Sequence, residues 1–435
     1  MPLPLTDPDT LFEELLQDPP PETAQMAREC KAFVRAKKVT TPEQLLRVVL
    51  LYCGLDKPLR EVAGTFTALY ESITDQSVAE RLRACGPWVQ ALLRRMLPLS
   101  SVGTLPAGFR FVVMDASRMQ APGATGTDHR LPIAMDLLSL QCIAVLVSDV
   151  HTGETLKHCT VAPGDVAVAD RGYAHCQGMR AAVQQGADLI VRLNPFSVVL
   201  RDAVGAPLEL CAALKRQPTE TLRTLAVALC APGGQQEVRG WVHAYRLTAE
   251  HAHRARHTCR QGHKKGTPTA ESLLLAGWVL VSTTLAPAVL SAQTIMALSR
   301  CRWQVDIAIK RWKSVRDVDA LRAKATSPLA EVWLHGKWLY ALMLERRMRR
   351  QLGDSWGRLD HKRVGTWWRV WGMRKDETAP MMTGALFWKE DAWAACLKVL
   401  MERPRRRKLQ QLPPAALAIL YRCDAGQQEG EPIAA

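Results

Sequence analysis

The chain has 435 residues, more than one hydrophobic core of roughly 100–200 residues organises, so two or three units are expected. Its 48% hydrophobic and 23% charged residues exclude a disordered or fibrous chain, and a formal net charge of +15 points to a polyanionic partner, either nucleic acid or a membrane surface. Twelve cysteines without a CxxC pair or a regular framework exclude a disulfide scaffold and read as free thiols of a reducing cytoplasm.

The N-terminus, "MPLPLTDPDTLFEELL", is acidic and lacks the cationic and apolar regions of a signal peptide. Residues 1–105 are expected to be helical and to form an N-terminal DNA-binding domain. Thr41, followed by Pro42 and by Gln44 three positions on, is a capping arrangement that starts a helix through "LLRVVLLY". Ser77 with Glu80 repeats it. Leu59, Val62 and Phe66 share one helical face ahead of that second start. Two short helices in succession there fit either a helix-turn-helix carrying Arg81 and Arg83 or a plain helical bundle.

From residue 106 to about 350 the texture becomes that of an α/β unit. "FRFVVMD" is an apolar run that ends in Asp115, as a central strand with a terminal carboxylate would. "LPIAMDLLS" and "CIAVLVSDV" follow as strands, since Asp136, Ser139 and Gln141 interrupt any membrane span. "PGDVAVAD" gives a strand ending in Asp170, then "AHCQGMRAAVQQG" a helix and "ADLIVRL" a further strand. Strands in succession, then alternating with a helix, predict a mixed α/β sheet. Residues 197–275 read as a β-rich insertion, and within it "HAHRARHTCRQGHKKG" is expected to be a basic loop. Its His251, His253, His257, Cys259 and His263 match no tetrahedral zinc spacing. "AGWVLVSTTL" returns to strand, 289–350 is helical, and 351–435 is a helical, basic C-terminal region whose tail after "RPRRRK" is expected to be disordered.

Strand-terminal acids that converge suit divalent cations, and two such ions about 3.5–4 Å apart clamp the attacking and leaving oxygens of a phosphodiester. Asp115 and Asp170 qualify if their strands are neighbours. Otherwise Asp115 caps a turn and Asp170 pairs with Arg171. A third acid is offered by "SRCRWQVDIAIKRWKS", in which Arg302, Asp306 and Lys313 recur at helical spacing. There the alternative is an ordinary Arg302–Asp306 helical pair.

Several of these stretches together resemble the DDE transposases of bacterial insertion sequences, of the IS4 group. They are "FVRAKKVTTPEQLLRVVLLY", "VVMDAS", "PGATGTDHRL", "PGDVAVADRGYAH" and "RWQVDIAIKRWKSVRDVDALRAK". The family's helix reads Y-(2)-R-(3)-E-(6)-K, and here Ser299, Arg302, Asp306 and Lys313 stand at its four positions. Serine thus replaces the tyrosine, and aspartate the catalytic glutamate. The resemblance implies an RNase H-like catalytic core with the β-rich insertion, and Asp115, Asp170 and Asp306 as catalytic, metal-holding acids. It implies two Mg²⁺ or Mn²⁺ ions, with Arg302, Lys313, Ser299, Arg171 and Tyr173 on DNA. Trp278 resembles the family's tryptophan that stacks on a flipped base. Cut-and-paste transposition of double-stranded DNA follows, at terminal inverted repeats and target DNA. A homodimer in the synaptic complex and a cytoplasmic, nucleoid-associated bacterial location are implied as well. The two substitutions leave a second reading, a decayed or domesticated DNA-binding protein without catalysis.

Overall fold

The computed structural model describes residues 8–97, 108–149, 153–231, 237–262, 267–316, 318, 321–353, 367–384 and 412–428. "RPRRRK" and His263 lie outside the described residues.

The N-terminal region is helical as expected: α1 (Pro8–Leu15), α2 (Thr23–Glu29), α3 (Pro42–Val49) with a π-turn over Leu50–Gly54, α4 (Leu59–Leu69), α5 (Asp75–Ala84) and α6 (Gly86–Met96). Thr41 caps α3, its side chain accepting from Gln44 N at 3.2 Å. The second start differs from the sequence reading. Thr74 caps α5 by accepting from Ser77 N, and Ser77 is the third residue of the helix. The cap falls at Thr74 because its backbone is extended (φ −88°, ψ 155°), which leaves its side chain free to reach back to an unsatisfied N–H.

Nine strands form one continuous path and a tenth pairs at its side. They are β1 (Arg110–Met119), β2 (His129–Asp136), β3 (Cys142–Val145), β4 (Ser148–Asp149), β5 (Asp165–Ala169), β6 (Asp188–Arg192), β7 (Val199–Arg201), β8 (Leu222–Cys230), β9 (Glu237–Arg246) and β10 (Trp278–Thr283). Their order is β3-β2-β1-β5-β6-β10-β9-β8-β7, with β4 on β2. β1, β5 and β6 run parallel and the remaining pairs antiparallel, with α7 (Cys176–Gln184) crossing from β5 to β6. This mixed α/β sheet fits an RNase H-like core. Residues 197–275 supply β7, β8 and β9, which extend the same sheet, together with α8 (Leu210–Leu214), α9 (Ala249–Gly262) and α10 (Ala270–Leu275).

Two expectations are corrected here. "FRFVVMD" does not end at Asp115: β1 runs on to Met119, because β2 continues to pair with it after β5 has stopped. The histidine-rich segment expected to be a loop is the helix α9, as Glu250 and Arg254 form an i,i+4 pair and Ala252 packs inward. Among the described residues no three His, Cys, Asp or Glu side chains gather into a ready-made metal cluster.

Alternation along the parallel strands divides the interior in two. Phe111 and Val113, Val166 and Val168, and Ile190 face one apolar cluster, while Val112 and Met114, Ala167 and Ala169, and Leu189 and Val191 face the other. The first cluster also holds the N-terminal helices and residues of α11 (Ala292–Cys301), α12 (Trp303–Arg316), α13 (Pro328–Leu352), α14 (Trp367–Thr383) and α15 (Pro414–Gln428). The 25-residue α13 runs through this core, packing on α6, α5, α14 and the π-turn. The N-terminal helices therefore share a core with α13.

The arginines of "ERRMRR" in α13 are engaged within the protein, with Arg350 exposed at the end of the stretch. Arg346 donates to the carbonyls of Asp18 and Met96, Arg347 pairs with Glu377 at 3.2 Å and with Asp18 at 3.7 Å, and Arg349 pairs with Glu345 at 3.0 Å. Arg350 bonds Asp18. These cations tie α13 to the N-terminal segment and to α14.

Candidate active site

The register of β1 against β5 is pinned at its base by Arg110 and Asp165, which are direct Cα partners. Arg110 Nε and Nη2 each lie 2.6 Å from a carboxylate oxygen of Asp165, a bidentate pair at 16% and 4% side-chain exposure. Counting five residues up each strand brings Asp115 level with Asp170. β6 adds a third member to the row, since Ala169 partners Val191 and the next positions are Asp170 and Arg192. By parity with Val113, Val168 and Ile190, this row belongs to the face covered by α11 and α12.

Arg302 stands at the break between α11 and α12, and its guanidinium reaches across to the strand: Nη1 is 2.9 Å from Asp306 Oδ2 and 3.4 Å from Asp115 Oδ2. Asp115 and Asp306 are thus neighbours around one cation. Burial first, and then the adjoining Asp306 carboxylate, raise the pKa of Asp115 to about 7 against the opposing Ala116 N–H and Arg302. Asp170 lies just past β5, where its Oδ1 accepts from Gly172 N at 2.7 Å and starts a short 3₁₀ turn. Desolvation and then the charges of Arg171 and Arg302 lower the pKa of Arg192, with Asp170 opposing them. Lys313 Nζ lies 3.5 Å from the Arg118 carbonyl, two turns along α12. Trp312 anchors that helix, its ring centroid 4.8 Å from Trp338 and 6.4 Å from Trp371.

The remaining sequence-predicted residues divide by exposure. Arg171 is exposed and Ser299, one turn before Arg302, is half-buried. Trp278 begins β10 and is buried, lining with Arg171, Arg192 and Phe196 a cleft of about 730 Å³. Tyr173 is 1% exposed, so it lies beneath the site instead of facing solvent. Its hydroxyl has no hydrogen-bond partner among the described residues, and burial, then the charges of Cys159, Asp115, Glu154 and Asp170, push its pKa up.

Two residues of this region escaped the sequence reading. Arg192 ends an apolar run as Asp115 and Asp170 do, and the same strand-end logic applied to cations would have found it. Glu154, between β4 and β5, carries no periodic signal at all.

The donors fit a hard divalent cation. Asp115 and Asp306 present only oxygens and face each other, and the buried Asp306 Oδ2 makes an ion pair with Arg302 but no directed hydrogen bond. Arg302 sets one positive charge against these two carboxylates, and Mg²⁺ is commonly held by one or two carboxylates together with water and substrate phosphate.

The chain matches the family described as "Transposase DDE domain" over residues 106–342. It belongs to the DDE transposases. It is 27% identical over 335 residues to the "Putative transposase InsL for insertion sequence element IS186A" of Escherichia coli (strain K12), covering 75% of this chain and 90% of that one. The "Transposase for insertion sequence element IS421" of Escherichia coli is also 27% identical, over 336 residues, with the same coverage. Among solved structures, the "piggyBac transposase synaptic complex with hairpin DNA" aligns at 8% identity and a TM-score of 0.42, over 95% of this chain and 89% of that one. This DDE transposase of a bacterial insertion sequence acts in DNA transposition as a polynucleotidyl transferase, and its family implies dependence on a divalent metal. A DNA-binding protein without catalysis is not favoured. No helix among the described residues is long and apolar enough to cross a membrane.

Proposed function

We propose that this transposase cuts DNA at the ends of its element and joins the freed 3′-OH to target DNA, with Asp115, Asp170 and Asp306 as its catalytic acids. The observation that carries the proposal is the convergence of Asp115 from β1 and Asp306 from α12 on Arg302, with Asp170 level in the neighbouring strand. Asp115, Asp306 and Asp170 would hold Mg²⁺ or Mn²⁺, in a two-ion arrangement. Bound there, the metal supplies Lewis-acid stabilisation of the reacting phosphate and an acidified water.

The chain's own groups do the rest. Arg302 orients both carboxylates and offers its remaining N–H groups to a phosphate oxygen. Arg171, which is exposed, and Ser299 and Lys313, which are half-buried, would contact a DNA strand crossing the row, and the exposed Arg83 on α5 would meet duplex DNA. Trp278 lines the adjoining cleft, which supports a stacking role for it once an unpaired base enters. Tyr173, being buried, serves the carboxylates from below rather than the DNA. Terminal inverted repeats are the natural substrate of such a site, and a homodimer holding both ends is the assembly that joining them requires. Whether the third acid, an aspartate where the family has glutamate, suits this site is a matter of reach, and its direct ion pair with Arg302 supports a site built for aspartate.

The test is metal-dependent nicking of duplex DNA carrying the element's own ends, comparing the native chain with Asp115→Ala. Nicking that is equal in the two proteins, or that ignores the end sequence, refutes the proposal.

A further inference from the structure

We propose that Glu154 is a fourth carboxylate of this active site, pairing with Asp170 to hold one divalent cation while Asp115 and Asp306 hold the other. The inference rests on the metal-dependent reading above and adds a residue to it. Glu154 immediately precedes Thr155, whose side chain caps the 3₁₀ turn Leu156–His158 by accepting from Lys157 N at 3.3 Å. That turn packs on α7, which follows the Asp170 loop, so the cap fixes where the Glu154 backbone stands relative to Asp170.

Gly172 shows how closely the two acids approach. A Cβ placed there would collide with Glu154 Oε2 and stand 3.1 Å from Asp170 Oδ1. Both carboxylates therefore converge on the same bare backbone position. The backbone of Gly172 does not lie in the left-handed region, so glycine is needed here for that close approach and not for its conformation.

A second observation is independent of the acids themselves. The Tyr173 hydroxyl, 1% exposed and without a partner among the described residues, sits in the combined field of Asp115, Glu154 and Asp170. A buried, unpartnered donor beside such a cluster is satisfied when a ligand orders the acids or brings a bound water to it. Charge balance points the same way. Arg302 neutralises the Asp115–Asp306 side, whereas neither Glu154 nor Asp170 forms an ion pair among the described residues. Two carboxylates supplemented by water and substrate phosphate are a sufficient ligand set for Mg²⁺. The in-line displacement of a phosphodiester uses two such ions, one for each of the attacking and leaving oxygens.

The test counts Mn²⁺ bound to the full-length chain by electron paramagnetic resonance and calorimetry, without DNA turnover, with a thermal melt of each variant as the folding control. Glu154→Gln removes the charge and keeps the shape. Gly172→Ala displaces the flexible end of Glu154 and presses on Asp170 Oδ1, and the three atoms nearest the added Cβ all belong to these two side chains, so the fold is expected to persist. The native chain is expected to bind two ions. Both variants are expected to lose one of them, or to hold it at least about tenfold more weakly, while Asp306→Asn loses the other. Two ions held at native affinity by both Glu154→Gln and Gly172→Ala overturn the proposal. A native chain binding a single ion overturns it too. If Asp115→Asn and Asp306→Asn also bind Mn²⁺ as the native chain does, the metal reading of the whole site fails, and the two failures are thereby distinguished.

Discussion

Replacing Asp306 by glutamate restores the residue type usual in the family, yet the geometry predicts a loss. The Asp306 carboxylate already lies 2.9 Å from Arg302, at 21% side-chain exposure, and adjoins Asp115. One more methylene advances it by about 1.5 Å along the same bond direction, into the guanidinium. The longer arm must then fold back or displace Arg302, and either leaves Asp115 and residue 306 misaligned by about 1 Å. Misplacement of that size costs on the order of 10²-fold in rate, or about 2.7 kcal/mol of transition-state stabilisation. The assay is single-turnover, Mn²⁺-dependent nicking of DNA with the element's own ends, alongside a thermal melt. Asp306→Glu is expected to fold with a midpoint within a few degrees of the native protein and to nick about a hundredfold more slowly. Equal or faster nicking would show that the shorter arm is a defect and that the packing argument is wrong.

Four further outcomes are expected. Asp165→Asn leaves Arg110 buried opposite a neutral amide, costing about 3–5 kcal/mol in urea unfolding; an unchanged midpoint would remove this pair as the element that pins β1 to β5. His335 is buried, and burial holds its pKa down at about 4 against a usual 6.5. The unfolded chain therefore binds the extra proton in that window, so stability falls as pH drops from about 6.5 to 4, by about 3 kcal/mol. His335→Gln should flatten that slope, and an identical slope in the variant refutes the assignment. Arg347→Met removes one of two cations from Asp18 and from Glu377, which keep Arg350 and Arg374, and is predicted to cost about 1.5–3 kcal/mol without altering how DNA affinity depends on salt. Arg171→Ala should reduce the slope of log affinity against log salt by about 1 and leave stability alone; the reverse pattern would return "ERRMRR" to the DNA face.

Much of the core was legible because it depends on local chemistry. Short apolar runs broken by Asp115 and Asp170 report strands buried on both faces, and the Thr41 cap reports a helix start from a single side-chain oxygen. The Arg302–Asp306 spacing was visible in the same way, since i and i+4 meet on any helix. Local signals misled where two of them competed. Thr74 and Ser77 are both capping residues, and only the backbone conformation chooses between them. The polar, basic composition of α9 looks like a loop until its i,i+4 pair and its packing against α10 are seen.

By itself the sequence determined the residue types of the site and their order along the chain, because strand, helix and carboxylate chemistry are written within a few residues of each other. Tertiary structure decided their alignment. The bidentate Arg110–Asp165 pair sets the register that levels Asp115 with Asp170, across 55 residues of chain. It also decided that Arg347 and Arg349 of α13 are internal, since Asp18 of the N-terminal segment and Glu377 of α14 come to meet Arg347. Glu154 became visible only in three dimensions, where a missing side chain at Gly172 opens the space its carboxylate fills. Such contacts depend on what packs where, and no spacing along the chain records that.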